Sequence, residues 1–199
     1  MDGFKYFPGF MDRTSQEKLV ETLRDALIAA PLFMPVMPRT GKPFSVRMTN
    51  MGPLGWVSDR TGYRYQSTHP DHGTDWPAIS ENILAVWNKV SNYSHPPEAC
   101  LVNFYGDGAK MGLHQDRDEE DFSAPVVSIS LGDTAIFRIG GTARGGKTQS
   151  LKLESGDVLV MGGASRLCFH GIDRVIGGSS TLLKDGGRIN LTLRRVTKP

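Results

Sequence analysis

The sequence predicts a mainly β protein with flanking helices, built as a double-stranded β-helix or jelly roll. Eight short extended segments fill the chain from residue 101 to residue 194. The 199 residues include 23 glycines and 12 prolines, a composition that suits many tight turns. Helical periodicity, by contrast, is confined to the first 97 residues.

In order, Phe4, Tyr6, Phe7 and Phe10 stand among glycines and a proline. They predict a short strand or an irregular segment pinned by its aromatics. Thr14-Ser15-Gln16-Glu17 has the capping-box form, in which hydroxyl and carboxylate satisfy free amides at a helix start. Leu19, Leu23, Ala26, Leu27 and Ala30 follow at spacings of three and four, predicting an amphipathic helix that ends at Pro31 and braces a sheet. Prolines 31, 35, 38, 43 and 53 then predict a loop-rich stretch to Gly62, interspersed with Met34, Met37, Met48 and Met51. Tyr63 and Tyr65 share one face of an extended segment just beyond Trp56. These aromatics either stack on a flat ring or cover the core beneath a loop. Trp76-Pro77 introduces a second helix, with Ile83, Val86, Trp87 and Val90 on one stripe and an end near Ser91-Asn92. His95-Pro96-Pro97 reads as a rigid connector with the imidazole at the surface.

The strands are expected at 101–105, 111–116, 126–131, 135–139, 151–153, 157–161, 167–170 and 188–194. The boundary between an N-terminal segment, 1–97, and the jelly-roll core, 98–199, falls after the connector, within one compact domain overall.

Apolar content of 39% and charged content of 22% describe an ordinary globular chain with one core. A formal net charge of +2 is too small to argue for nucleic-acid binding from charge alone. Cys100 and Cys168 form no CxxC pair, so neither a zinc site nor a disulfide framework is indicated. The first ten residues lack a signal-peptide pattern, and no apolar run approaches the roughly 20 residues that span a bilayer. The expected location is cytoplasmic, with no membrane association.

His114 and Asp116 are two apart, so on a strand both side chains leave on one face. They could belong to a polar turn, or form two thirds of the 2-His-1-carboxylate set that holds Fe(II) in non-haem oxygenases. The third ligand would be His170, the one histidine downstream of them. In 188–194, Ile189, Leu191 and Leu193 alternate with Arg188, Asn190, Thr192 and Arg194. That polar face either meets water or lines a pocket for an acidic ligand. Asn103 and Tyr105 repeat the pattern. Three open positions on iron suit a bidentate 2-oxo acid and O2, and Arg188 or Arg194 could meet the distal carboxylate of a dicarboxylic co-substrate such as 2-oxoglutarate, with Asn103 and Tyr105 donating further hydrogen bonds.

The stretch 103–118, NFYGDGAKMGLHQDRD, resembles the AlkB family of Fe(II)/2-oxoglutarate-dependent nucleic-acid dealkylases. The resemblance continues through APVVSISLG at 124–132, Gly156-Asp157, GGASR at 162–166, His170-Gly171 and RINLTLR at 188–194. Upstream, MTN at 48–50, LGW at 54–56 and Gly62-Tyr63 extend it over roughly residues 48 to 195. It implies that His114, Asp116 and His170 bind iron, and that Arg188 anchors the distal carboxylate of 2-oxoglutarate with help from Asn103 and Tyr105. Asn190 and Arg194 match the rest of the co-substrate site, Arg194 near its inner carboxylate. Trp56 and His170 match rings that sandwich a flipped base, Asp118 an acidic residue near its exocyclic group, and Tyr63 and Arg144 substrate or backbone contacts. Met161 departs from the tryptophan of the bacterial relatives.

The implied activity is oxidative dealkylation of N-alkylated bases, of the 1-methyladenine and 3-methylcytosine type, in DNA or RNA. It would consume Fe(II)-bound O2 and 2-oxoglutarate, and release succinate, CO2 and an aldehyde. The base would be single-stranded or flipped into reach beneath an N-terminal substrate-recognition lid, and no obligate protein partner is indicated. The alternatives are an oxygenase of the same fold acting on a protein or small molecule, and a jelly-roll binding module without catalysis.

Overall fold

Side-chain alternation along the extended segments sorts the chain into layers. The computed structural model describes residues 2–199. Among them run β1 (Phe4–Phe7), α1 (Arg13–Ala29), β2 (Arg47–Met51), β3 (Gly55–Asp59), β4 (Gly62–Gln66) and α2 (Glu81–Val90). Then follow β5 (Ala99–Tyr105), β6 (Met111–His114), β7 (Val126–Gly132), β8 (Thr134–Ile139), β9 (Gln149–Leu153), β10 (Val158–Met161), β11 (His170–Ile176) and β12 (Arg188–Arg194). The larger sheet has the order β1-β10-β7-β12-β5-β2, the smaller one β6-β11-β8-β9, and β3 with β4 makes a separate hairpin. Strands β5 to β12 therefore divide four and four, the layout of a jelly roll, while β1 and β2 extend the larger sheet at its edges.

The outward faces of β5, β7, β10 and β12 carry Val102, Ile129, Val158 and Leu191, and both helices lie over them. Helix α1 contributes Leu19 and Leu23, and α2 contributes Ile83 and Trp87, all in this same cluster. The inward faces carry Leu101, Val126 and Leu159 against Phe137, Ile139 and Ile172 of the smaller sheet. Trp87 is fully buried, and its indole N–H donates to the His95 carbonyl at 3.2 Å. Trp87→Ala is expected to cost about 3–5 kcal/mol, by the lost transfer energy and the cavity left behind. Urea unfolding measures this, and a loss below about 1 kcal/mol would mean that α2 lies outside the cooperative core.

Four expectations are corrected. Helix α1 is capped by Asp12, whose carboxylate accepts from the Ser15 amide at 2.8 Å, and not by Thr14. An aspartate caps at least as well as threonine, and Glu17 instead pairs with Arg13 at 2.7 Å. The proline-rich stretch holds two strands, because the windows 47–51 and 55–59 are free of proline and can donate to a ladder. β6 stops at His114, so Asp116 lies past its end. Strand β11 begins at His170, where the sequence reading closed a strand at 167–170. Its pairing with β8 shifts register between Ile172 and Arg174, a bulge that breaks the alternation a sequence reading relies on.

Cys100 and Cys168 are both buried. Among the described residues, no helix is long and apolar enough to cross a membrane.

Candidate metal and ligand site

His114 closes β6 and His170 opens β11, and the two are direct partners across that antiparallel pair. Their rings lie 4.5 Å apart. The strands approach closely because Gly171 follows His170, since a Cβ there would come within 2.5 Å of the Met111 carbonyl oxygen. Each imidazole is oriented from behind. Nδ1 of His114 is 2.9 Å from the Gly112 carbonyl, and Nδ1 of His170 is 3.0 Å from that of Cys168. A carbonyl only accepts, so Nδ1 carries the proton and the Nε2 lone pair faces forward. Both Nε2 atoms face the Asp116 carboxylate, His114 at 3.7 Å and His170 at 3.8 Å. One ligand atom from each residue lies within 4.8 Å of the others, a grouping that could hold a metal ion. Asp116 Oδ2 is buried without a hydrogen-bond partner among the described residues. Two forward-facing imidazoles and an unsatisfied carboxylate oxygen fit a divalent cation.

The electrostatics agree. Burial presses the His170 imidazole down to about 4, with His114 adding to the effect, so the ring is neutral and can donate its lone pair. Burial alone would raise the Asp116 carboxyl, but the Arg194 guanidinium holds it well below the usual carboxylate range. Arg194 Nη2 donates to Asp116 Oδ1 at 2.8 Å.

These groups line a cavity of about 550 Å³ between the two sheets. Its larger-sheet wall is the polar face of β12 and β5: Arg188, Asn190, Thr192 and Arg194 beside Asn103 and Tyr105. Register sets Asn190 between Asn103 of β5 and Ser130 of β7, and Arg188 opposite Tyr105. Arg188 is 1% exposed, and its Nη2 donates to Ser130 Oγ at 3.0 Å. Its Nε and Nη1, and Asn103 Oδ1, have no hydrogen-bond partner among the described residues. Burial lowers the guanidinium's affinity for its proton, yet an arginine remains a cation in a protein. An enclosed cation with two idle donors fits a carboxylate bidentately.

At the mouth, Trp56 of β3 stacks on Tyr63 of β4, with centroids 5.6 Å apart and planes 18° from parallel. The indole N–H donates to Asp118 at 2.8 Å. Phe44 meets the same indole edge-on at 6.4 Å. Tyr63 remains 52% exposed. Arg144 lies over the Phe169 ring at 5.2 Å and, with Met161, also lines the cavity. The structure thus brings to one cavity the iron, co-substrate and substrate candidates that the resemblance implied, while Tyr65, on the same face as Tyr63 in the sequence reading, is not among its lining residues.

Sequence reasoning missed several neighbours. On β7 Ser128 lines the cavity and Ser130 accepts from Arg188, both alternating with Val127, Ile129 and Leu131 as plainly as the polar positions of β12. Gln115, between two of the metal-site residues, donates to the Thr142 and Leu167 carbonyls at 3.1 and 2.6 Å. Glu119 and Arg166 form an ion pair whose side chains are 1% and 2% exposed, although Glu119 stands in the acidic run Asp118-Glu119-Glu120-Asp121.

The model of the 2OG-Fe(II) oxygenase superfamily matches residues 3–194. Over 193 residues the chain is 53% identical to an alpha-ketoglutarate-dependent dioxygenase AlkB homolog of Caulobacter vibrioides, covering 97% of this chain and 87% of that one. It is 42% identical over 186 residues to the alpha-ketoglutarate-dependent dioxygenase AlkB of Escherichia coli, covering 92% and 85%. The solved structure of OsALKBH1 superposes with a TM-score of 0.79 at 32% identity, covering 98% of this chain and 99% of that chain.

Proposed function

The chain belongs to the 2OG-Fe(II) oxygenase superfamily and, within it, to the AlkB family, and we propose that its cavity takes an N-alkylated base of DNA or RNA. The protein is an Fe(II)/2-oxoglutarate-dependent dioxygenase that uses O2 and catalyses oxidative dealkylation. In this reading His114, Asp116 and His170 hold the iron. When bound, iron and 2-oxoglutarate supply the activation of O2 that oxidises an N-alkyl C–H bond, with succinate, CO2 and an aldehyde as products.

The chain's own part is positioning. Arg188 receives the distal carboxylate of 2-oxoglutarate, with Tyr105 and Asn103 beside it, while Asn190 and Arg194 line the remainder of that subsite. The unpartnered donors of Arg188 are the observation that carries the assignment. The Trp56–Tyr63 platform, fastened by Asp118, offers a flat face to a base that has left its stack or belongs to a single strand. His170 provides the second ring, and Arg144 a cation for the backbone. Within residues 1–97 the β3–β4 hairpin is the piece that serves as lid over the core, 98–199.

Purified protein with Fe(II), 2-oxoglutarate and a panel of N-methylated DNA and RNA oligonucleotides is expected to release succinate and formaldehyde. Absence of product from every methylated base would overturn the reading. Trp56→Ala should weaken oligonucleotide binding by about 5- to 150-fold, the equivalent of roughly 1–3 kcal/mol of stacking. Fluorescence anisotropy measures it, and a change below twofold would remove Trp56 from the base site.

A further inference from the structure

Asp116 lies past the end of β6, so no strand ladder holds its main chain. Arg166 does. Its Nη1 donates to the Asp116 carbonyl at 2.7 Å, its Nε to the Ala124 carbonyl at 2.9 Å, and its Nη2 to Glu119 Oε2 at 3.0 Å. Arg166 ends the short 3-10 turn Gly163–Ser165, which leads into His170. One guanidinium therefore ties the segment of Asp116 to the segment of His170. Glu119 carries the connection further. Its other oxygen accepts from the Tyr65 hydroxyl of β4, and the same oxygen lies 3.4 Å from Arg194 Nε. Arg194 in turn reaches both Asp116 and, at 3.4 Å, the Tyr65 hydroxyl. Stability alone does not call for such a pair, because apolar residues of similar volume serve as well where two charges are this deeply buried.

We propose that the Arg166–Glu119 pair is a positioning device, which fixes Asp116 in the attitude a metal needs and, through Tyr65, latches the β3–β4 hairpin over the cavity. The metal half rests on the reading of His114, Asp116 and His170 as ligands. The device predicts two separable losses. Removing the Tyr65 hydroxyl frees the hairpin and leaves the metal site intact. Replacing Arg166 by lysine, whose three donors sit on one nitrogen and cannot span the acceptors spread around a guanidinium, loosens Asp116.

The test uses the full chain with Co(II) as probe metal, amide hydrogen exchange, and an N-methylated oligonucleotide. In Tyr65→Phe, amides of β3 and β4 should exchange at least tenfold faster. Its oligonucleotide KM should rise fivefold or more, kcat should fall by less, and Co(II) affinity should stay within twofold. In Arg166→Lys, Co(II) affinity should fall by about 10- to 100-fold, with a shift of the Co(II) visible bands. Should that variant fail to fold, Glu119→Gln keeps the shape, strips Arg166 of its countercharge, and is read the same way. Unchanged hairpin exchange in Tyr65→Phe overturns the proposal. So does unchanged Co(II) affinity in the folded Arg166→Lys or Glu119→Gln. His114→Ala is titrated alongside. Retained Co(II) binding there overturns the ligand reading and the metal half with it. Loss of binding there, with full binding in Arg166→Lys, overturns the device alone.

Discussion

Replacing Arg188 by methionine is expected to raise the KM for 2-oxoglutarate at least 100-fold, and to raise the unfolding temperature of the ligand-free protein as well. The two effects share one cause. The guanidinium is 1% exposed, its Nη2 donates to Ser130 and it lies against Tyr105, while its Nε and Nη1 have no hydrogen-bond partner among the described residues. A buried charge with idle donors lowers stability, since water would satisfy those donors in the unfolded chain. Methionine fills similar volume and removes that burden. The same donors are what a carboxylate needs, and a hundredfold loss corresponds to about 2.7 kcal/mol, ordinary for one charge-assisted pair. Calorimetric titration with 2-oxoglutarate and a thermal scan of the ligand-free protein check both halves. Unchanged co-substrate affinity would remove Arg188 from the site, and a marked fall in unfolding temperature would show that the guanidinium is satisfied.

The second large effect separates two metal-site residues that chemistry alone would treat alike. His114→Ala and Asp116→Ala should each lower Fe(II)-dependent turnover by three orders of magnitude or more, because two ligands do not hold the metal. Their stabilities should differ. The His114 side chain is 40% exposed, and its loss is expected to cost less than about 1 kcal/mol. Asp116 is the 2.8 Å partner of Arg194, whose side chain is 7% exposed. Without Asp116 that guanidinium keeps Glu119 and Tyr65 as its side-chain partners among the described residues, so a loss of about 3–5 kcal/mol is expected. Urea unfolding of the metal-free variants measures the difference. Equal stabilities would mean that Arg194 does not depend on Asp116.

Much of this arrangement was legible in the residues, and the reasons for success and failure are specific. Strand β12 reads cleanly because each position alternates between a covered outer core and a ligand cavity, so its pattern is strictly of period two. The same rule would have found Ser128 and Ser130, where hydroxyls between branched apolar residues look like ordinary strand filler. For Asp116 the strand argument is incomplete, because its carboxylate reaches His114 from beyond the end of β6 and not along it. Strands β2 and β3 were hidden by the prolines around them, although a proline outside a strand costs that strand nothing. Glu119 was invisible for a different reason. A glutamate in an acidic run is ordinarily solvated, and only long-range folding brings Arg166, Arg194 and Tyr65 to it.

The pairing of His114 with His170 also governs when the protein can acquire its metal. The two imidazoles belong to distant parts of the chain and meet only after β6 has found β11, which itself must pair with β8. They stand 56 residues apart, so an ion that bridged them in the unfolded chain would have to close a far longer loop than zinc closes in a finger domain. Chelation should therefore yield an intact apo-protein that regains activity on adding Fe(II), without passing through a refolding step.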